Sequence, residues 1–252
     1  MTGWAMVVPV GAAGVAAGTI NTVVGSGTLI TFPVLLALGV PPVTANVSNT
    51  IGLVPGSFSG AWSYRRELAG QRDRLARFGS ASLIGGITGA LLLLTLPPGV
   101  FGDVVPALII AALALVVAQP WLARRLLGSE RHGSAARPAL LWAAVLLTGV
   151  YGGYFGAAQG VLLIALMGIM LDADLQRVNA LKNVLTGLVN GVAGVTFMIL
   201  AHPDWTYVLS IAVGSAIGGQ IGGVIGRRLS PVLMRAIIVV VGVVALVKFL
   251  AG

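Results

Sequence analysis

Nearly the whole chain divides into apolar stretches long enough to cross a bilayer, and almost every charge lies in the short gaps between them. One crossing takes about twenty apolar residues, and spans read this way fall at 43–62, 78–96, 104–122, 175–200, 207–225 and 232–250. Charged residues make up 9% of the chain against 57% hydrophobic, so 252 residues cannot assemble the hydrated exterior of a soluble domain. The pattern predicts an all-α, polytopic membrane protein. Trp62, Tyr64, Trp121, Trp142, Trp205 and Tyr207 fall at or near span ends, where an interfacial aromatic belt belongs. Function must then be read from the polar groups inside lipid, where each is costly.

Two regions, 4–40 and 138–171, are too long for one straight helix and short for two full crossings. Glycines interrupt each near its middle, at Gly25 and Gly27 and at Gly156 and Gly160. The two regions occupy matching places in an internal repeat. Gly14, Gly18 and Gly25 align with Gly149, Gly153 and Gly160 at a spacing of 135, and Asn49 and Gly60 with Asn183 and Gly194 at 134. Gly85-Gly86-x-x-Gly89 aligns with Gly218-Gly219-x-x-Gly222, and Leu96-Pro-Pro98 with Leu229-Ser-Pro231, at 133. The chain thus reads as a first repeat (1–122), a cytoplasmic linker (123–138) and a second repeat (139–252).

Charge relates the halves. Arg65, Arg66, Arg72, Arg74 and Arg77 place one loop in the cytoplasm; Arg124, Arg125, Arg131 and Arg137 place the linker there, and Arg227, Arg228 and Arg235 the last connection. The gaps 97–103 and 201–206 carry no Lys or Arg and should face outward. Equivalent loops fall on opposite sides, so the repeats are inverted. Each awkward region must begin and end on one side, as a re-entrant hairpin or a pair of short tilted helices, followed by three transmembrane helices. Broken elements in matching places of inverted repeats point to a secondary transporter's binding site.

The first broken region carries Asn21, Ser26 and Thr28 around its glycines, and a half-helix starting near Gly27 would aim its positive end at an anion. Asn46, Asn49 and Thr50 share one face of the following span. In the second half Asn179, Lys182, Asn183 and Asn190 share a face, and Tyr154 and Gln159 supply hydrogen-bonding groups in the broken region. Lys182 is either a snorkelling interfacial lysine belonging with Arg177 or a direct anion contact. The expected substrate site is therefore Asn21, Ser26, Thr28, Asn46, Asn49, Tyr154, Gln159, Asn179, Lys182 and Asn183, lined by the two halves together.

What the chain lacks narrows the chemistry. There is no cysteine, and His132 and His202 both fall in loops, which disfavours thiolate or histidine metal sites. All seven acids (Glu67, Asp73, Asp103, Glu130, Asp172, Asp174 and Asp204) map to loops or span ends. A carboxylate cation site or proton relay is disfavoured, and no hydrolase triad, HExxH or P-loop is present. The expectation is a transporter, not an enzyme, with no cofactor. Net charge is +8, and the arginines read as topology signals facing anionic lipid, not as a nucleic-acid surface. The partners expected are a small organic or inorganic anion and the lipid bilayer. Stripes at Gly85, Gly89, Gly214, Gly218, Gly222 and Gly226 allow close helix approach, within a subunit or between two copies, which leaves a homodimer open. The N-terminal Met1-Thr-Gly-Trp-Ala lacks a basic n-region, so the first segment is read as part of the mature protein.

With Gly18…Gly25-x-Gly27…Pro33…Leu38-Gly39-Val40, the polar span opening after it, the glycine-rich third span of each half and the duplicated layout, the chain resembles the sulfite exporter TauE/SafE family of bacterial membrane proteins over about residues 8–250. Where many members carry three glycines in a row this chain has Gly25-Ser26-Gly27, and Gly156-Ala-Ala-Gln159-Gly160 is less glycine-rich again. The resemblance implies a secondary exporter of sulfite, sulfoacetate or related sulfur-containing anions, multi-pass in the bacterial cytoplasmic membrane. The rival readings are an anion channel and a non-transporting assembly partner.

Overall fold

A computed structural model describes residues 3–127, 137–171, 174–225 and 230–251. Glu130, Arg131, His132, Asp172, Gly226, Arg227, Arg228 and Leu229, used in the sequence reading, lie outside the described residues. Among the described residues every regular element is helical, as lipid demands of a chain that must satisfy its backbone internally. The order is α1 (Gly3–Val23), α2 (Thr28–Ala37), α3 (Pro42–Ser63), α4 (Arg72–Thr95), α5 (Pro98–Leu127), α6 (Arg137–Tyr154), α7 (Gln159–Met170), α8 (Leu175–Leu200), α9 (Trp205–Ile225) and α10 (Pro231–Ala251).

All six spans read from sequence are helices here, α3 to α5 and α8 to α10. Helix ends follow local chemistry. Pro42 opens α3 at a position that needs no N–H. Asp174 caps α8 by accepting from Gln176 N at 3.1 Å, and Asp204 Oδ1 accepts from Thr206 N at 2.9 Å at the start of α9. Helix α5 runs on to Leu127, past the span end read at 122. Among the described residues six helical segments are apolar and long enough to span by length and composition, and these include Met6–Val23 of α1. α3 is not one of them, because Thr44, Asn46, Ser48, Asn49 and Thr50 lower its hydropathy. The aromatic belt also needs one correction. Trp62, Trp121 and Trp205 are exposed, but Tyr64 is only 2% exposed and belongs to the interior.

Both awkward regions are broken, and in the same way. Val24 and Gly25 both donate to Ile20 O, and Phe155 and Gly156 both donate to Tyr151 O. Gly25 (φ +87°) and Gly156 (φ +78°) then turn the chain into α2 and α7 through a left-handed conformation that favours glycine. These glycines are 131 positions apart (156 less 25), not the 135 of the sequence alignment. The interhelical contacts require the same register. A Cβ on Gly18 would lie 2.8 Å from Ser215 Cα, and one on Gly149 would lie 3.4 Å from Ser82 Cα. Small residues recurring every three to four positions look alike after a shift of one helical turn, which is why sequence matching picked Gly153 for Gly18.

Helix α1 packs on α9 and α6 on α4, so the first helix of each half lies against the fourth of the other. The glycine stripes are consumed there. A Cβ on Gly218 would come within 2.9 Å of Thr19 N, and one on Gly89 within 2.7 Å of Tyr154 N. These stripes therefore join helices within one chain. Matching helices α3 and α8 also pack together, with Gly194 against Ile51 and Gly187 against Ser57 and Phe58. The numbering rises on one as it falls on the other, so this pair runs antiparallel.

Candidate functional site

The ends of α1 and α6 and the starts of α2 and α7 meet inside the bundle. Gly160 N donates to Gly25 O at 3.1 Å, joining the two breaks directly. A side chain at either glycine would strike the other's backbone. Around this crossing lie nine of the ten expected site residues, all buried: Asn21, Ser26, Thr28, Asn46, Asn49, Gln159, Asn179, Lys182 and Asn183. Tyr154 is only partly buried. Its ring packs edge-on against Phe101 at 5.5 Å, while its backbone carbonyl accepts from Asn46 Nδ2 at 2.9 Å.

Lys182 is fully buried, which removes the snorkelling alternative. Its Nζ donates to Asn21 O at 2.8 Å and Thr22 O at 3.0 Å, the carbonyls left over at the C-terminal end of α1. Asn179 Nδ2 and Asn183 Nδ2 each reach Thr22 O at 3.3 Å. A cation at a helix C-terminus opposes the partial negative charge there, so three of the expected ligands also hold a helix end in place. An ammonium has three donors, and the third N–H of Lys182 has no acceptor among the described residues. The matching asparagine in the first half is Asn46, which donates to the last residue of α6 as Asn179 donates to the end of α1. Asn46 and Asn179 are 133 apart (179 less 46), and the same register sets Asn49 opposite Lys182, not opposite Asn183 as the sequence alignment had it.

In the first half Asn49 is turned to α2. Its Nδ2 donates to Thr28 Oγ1 at 3.3 Å, and its Oδ1 accepts a short hydrogen bond from Thr31. The start of α2 has no side-chain cap. Beside it Ser26 Oγ is buried without a partner, as are both carboxamide atoms of Gln159, Asn46 Oδ1, Asn179 Oδ1 and Thr186 Oγ1. Leaving one such atom unpaired costs about 1–3 kcal/mol, so each of them calls for a partner. Lys182 and Gln159 both lie at the crossing. A Cβ on Gly160 would lie 2.8 Å from Lys182 Cδ, and the Gln159 carboxamide lies directly over Gly152.

Some contributors were not singled out from sequence. Ser57 Oγ accepts from Asn21 Nδ2 at 3.3 Å and from Asn190 Nδ2 at 3.4 Å, tying both halves together. Ser57 lies two helical turns beyond Asn49 on the same α3 face, a spacing that could have flagged it. Thr22 acts through its carbonyl, which no side-chain pattern reveals. Asp and Glu are absent from the buried polar residues among those described. Two cavities lie elsewhere. One of about 150 Å³ sits among Arg74, Arg77, Phe78 and Leu141, and an apolar groove of about 440 Å³ runs between α3 and α8.

Comparison with known proteins agrees with this architecture. The sulfite exporter TauE/SafE family model matches residues 10–249. The chain is 26% identical over 235 residues to the probable membrane transporter protein YfcA of Escherichia coli K12, covering 93% of this chain and 86% of that one. It is 30% identical over 145 residues to the probable membrane transporter protein ORF9 of a Sinorhizobium species, covering 57% of this chain and 54% of that one. A probable membrane transporter protein of Haemophilus influenzae is 25% identical over 205 residues, 80% of this chain and 78% of its own. No solved structure matches. With a family match over nearly its full length and a bundle of apolar helices around a buried polar centre, this multi-pass membrane protein belongs to the sulfite exporter TauE/SafE family of membrane transporters.

Proposed function

We propose that the protein is a secondary transporter, working as an exporter, of small sulfur-containing oxyanions such as sulfite or sulfoacetate. The observation that carries this reading is the start of α2, buried and uncapped, with Ser26 Oγ unpartnered beside it. Leu29 N donates to Ser26 O, and Ile30 N and Thr31 N to Gly27 O, which leaves the N–H groups of Gly27 and Thr28; unpaired N–H groups at a helix N-terminus favour an anion. Lys182 offers its third N–H and Gln159 its amide from the second half, while Asn49 orients Thr28. The lack of a buried carboxylate among the described residues spares an anion from repulsion. Alternating exposure would come from two halves of opposite orientation rocking about the site. The antiparallel contact of α3 with α8 and the matched breaks at Gly25 and Gly156 support that arrangement.

Flux of sulfite and sulfoacetate into proteoliposomes tests the proposal. Saturable flux that falls at least tenfold in Ser26→Ala and Asn49→Ala is the expected result. Wild-type rates in both variants would remove the site assignment. Absence of flux for either anion would remove the transporter reading, and non-saturating, channel-like conductance would replace the carrier by a channel.

A further inference from the structure

We propose that the C-terminal end of α6 binds a monovalent alkali cation, sodium, at the place where the matching end of α1 is filled by the Lys182 amino group. The two helices end alike, at Gly25 and Gly156. Each terminus is buried and carries a partial negative charge of about half an electron. At α1 the carbonyls of Asn21 and Thr22 are met by Lys182 Nζ. Their counterparts in the same register are Gly152 O and Gly153 O at the end of α6. Neither takes a side-chain donor among the described residues.

The position matching Lys182 is Asn49, which is neutral and spent on Thr28 and Thr31. Among the described residues the end of α6 therefore meets no cationic side chain. What faces it are two neutral carboxamides. Asn46 is fully buried and donates through Nδ2 to Tyr154 O, which leaves its Oδ1 beside the helix end with no partner. Gln159, 1% exposed, lays its carboxamide over Gly152 with Oε1 and Nε2 both unpartnered, so its oxygen is available to a cation.

Carbonyl and amide oxygens without a carboxylate suit a singly charged ion, whereas calcium and magnesium draw on carboxylates. Half-helix C-termini serve as sodium sites for the same reason. The site adjoins the anion position, since a Cβ on Gly156 would lie 3.9 Å from Thr28 Oγ1. On the transporter reading, cation and anion would each tighten the other's binding, because linkage is reciprocal. Only that coupling rests on the proposed function; the cation site does not.

The experiment uses the full chain purified in detergent, with sodium chloride exchanged for choline chloride at constant ionic strength. Thermal unfolding and radioactive sodium binding are both read. Saturable binding near one sodium per chain, a raised Tm in sodium and a weaker response to potassium are expected. Asn46→Ala should weaken sodium at least tenfold, and Asn46→Asp, which keeps an oxygen and adds charge while giving up the Nδ2 bond to Tyr154 O, should bind it more tightly. If Asn46→Ala does not fold, the Asn46→Asp comparison and the wild-type ion series still decide. Equal Tm in sodium and choline with no bound sodium would overturn the site, as would undiminished binding in Asn46→Ala. Sodium binding without anion flux would uphold the site and sink the transporter reading; sodium-indifferent anion flux with no bound sodium would do the reverse.

Discussion

Replacing Lys182 by Met asks whether this side chain holds the end of α1. Methionine fills a similar volume, so the cavity contribution is small, but it donates nothing. Asn179 and Asn183 would still serve Thr22 O, whereas Asn21 O would lose its side-chain donor. An orphaned buried carbonyl costs about 1–3 kcal/mol, and losing a cation from a partly buried helix C-terminus costs up to about 2 kcal/mol. Against these stands the return of the desolvation penalty of a buried ammonium, itself several kcal/mol before its partners offset it. The balance expected is a loss of about 1–3 kcal/mol, concentrated at residues 18–27. Thermal unfolding in choline buffer reads the total, and hydrogen exchange of peptides from that stretch reads its location. Asn183→Ala, which removes one of several donors to Thr22 O, should lose less than about 1 kcal/mol by the same rule. A Lys182→Met protein as stable as wild type, with unchanged exchange at the break, would refute the role given to Lys182.

Gly25→Ala and Gly39→Ala separate backbone strain from collision. Both glycines have positive φ, but a Cβ at Gly39 meets nothing within 4 Å whereas one at Gly25 strikes Gly160. Gly39→Ala should cost only about 1–2 kcal/mol, the price of a left-handed alanine, while Gly25→Ala should fail to yield folded protein by size-exclusion chromatography. Ser57→Ala should destabilise by about 1–3 kcal/mol, because Asn21 and Asn190 would lose a shared acceptor. The Ser57→Ala/Asn190→Ala double variant should show a coupling energy of about 0.5 kcal/mol or more in thermal unfolding.

Much of the fold was legible because lipid leaves few choices. Uninterrupted apolar runs between basic gaps marked α4, α5, α8, α9 and α10, and the polar opening of α3 still left enough apolar length to be seen. The breaks were legible too, from glycines in regions of the wrong length. Register was harder. A stripe such as Gly14, Gly18, Gly25 matches another stripe equally well one turn away, and only the contacts of Gly18 with Ser215 and Gly149 with Ser82 resolved it. The polar residues gathered at the two breaks could be listed because polar side chains in a span are conspicuous. Their division of labour could not, since it depends on backbone atoms. Lys182, Asn179 and Asn183 were visible as polar groups on one face, but the carbonyls of Asn21 and Thr22 that they serve leave no mark in the pattern of side chains.

The chain contains no cysteine, so Ser26→Cys introduces a single thiol of nearly the same size at the start of α2. Labelling by a small membrane-impermeant thiol reagent, added from either face of a sealed vesicle, measures access to the buried centre. Slow labelling from both faces, suppressed by sulfoacetate, is the result expected of a central anion site exposed alternately by two halves. A thiol that reacts from neither face, or reacts at the same rate whether or not sulfoacetate is present, would contradict it.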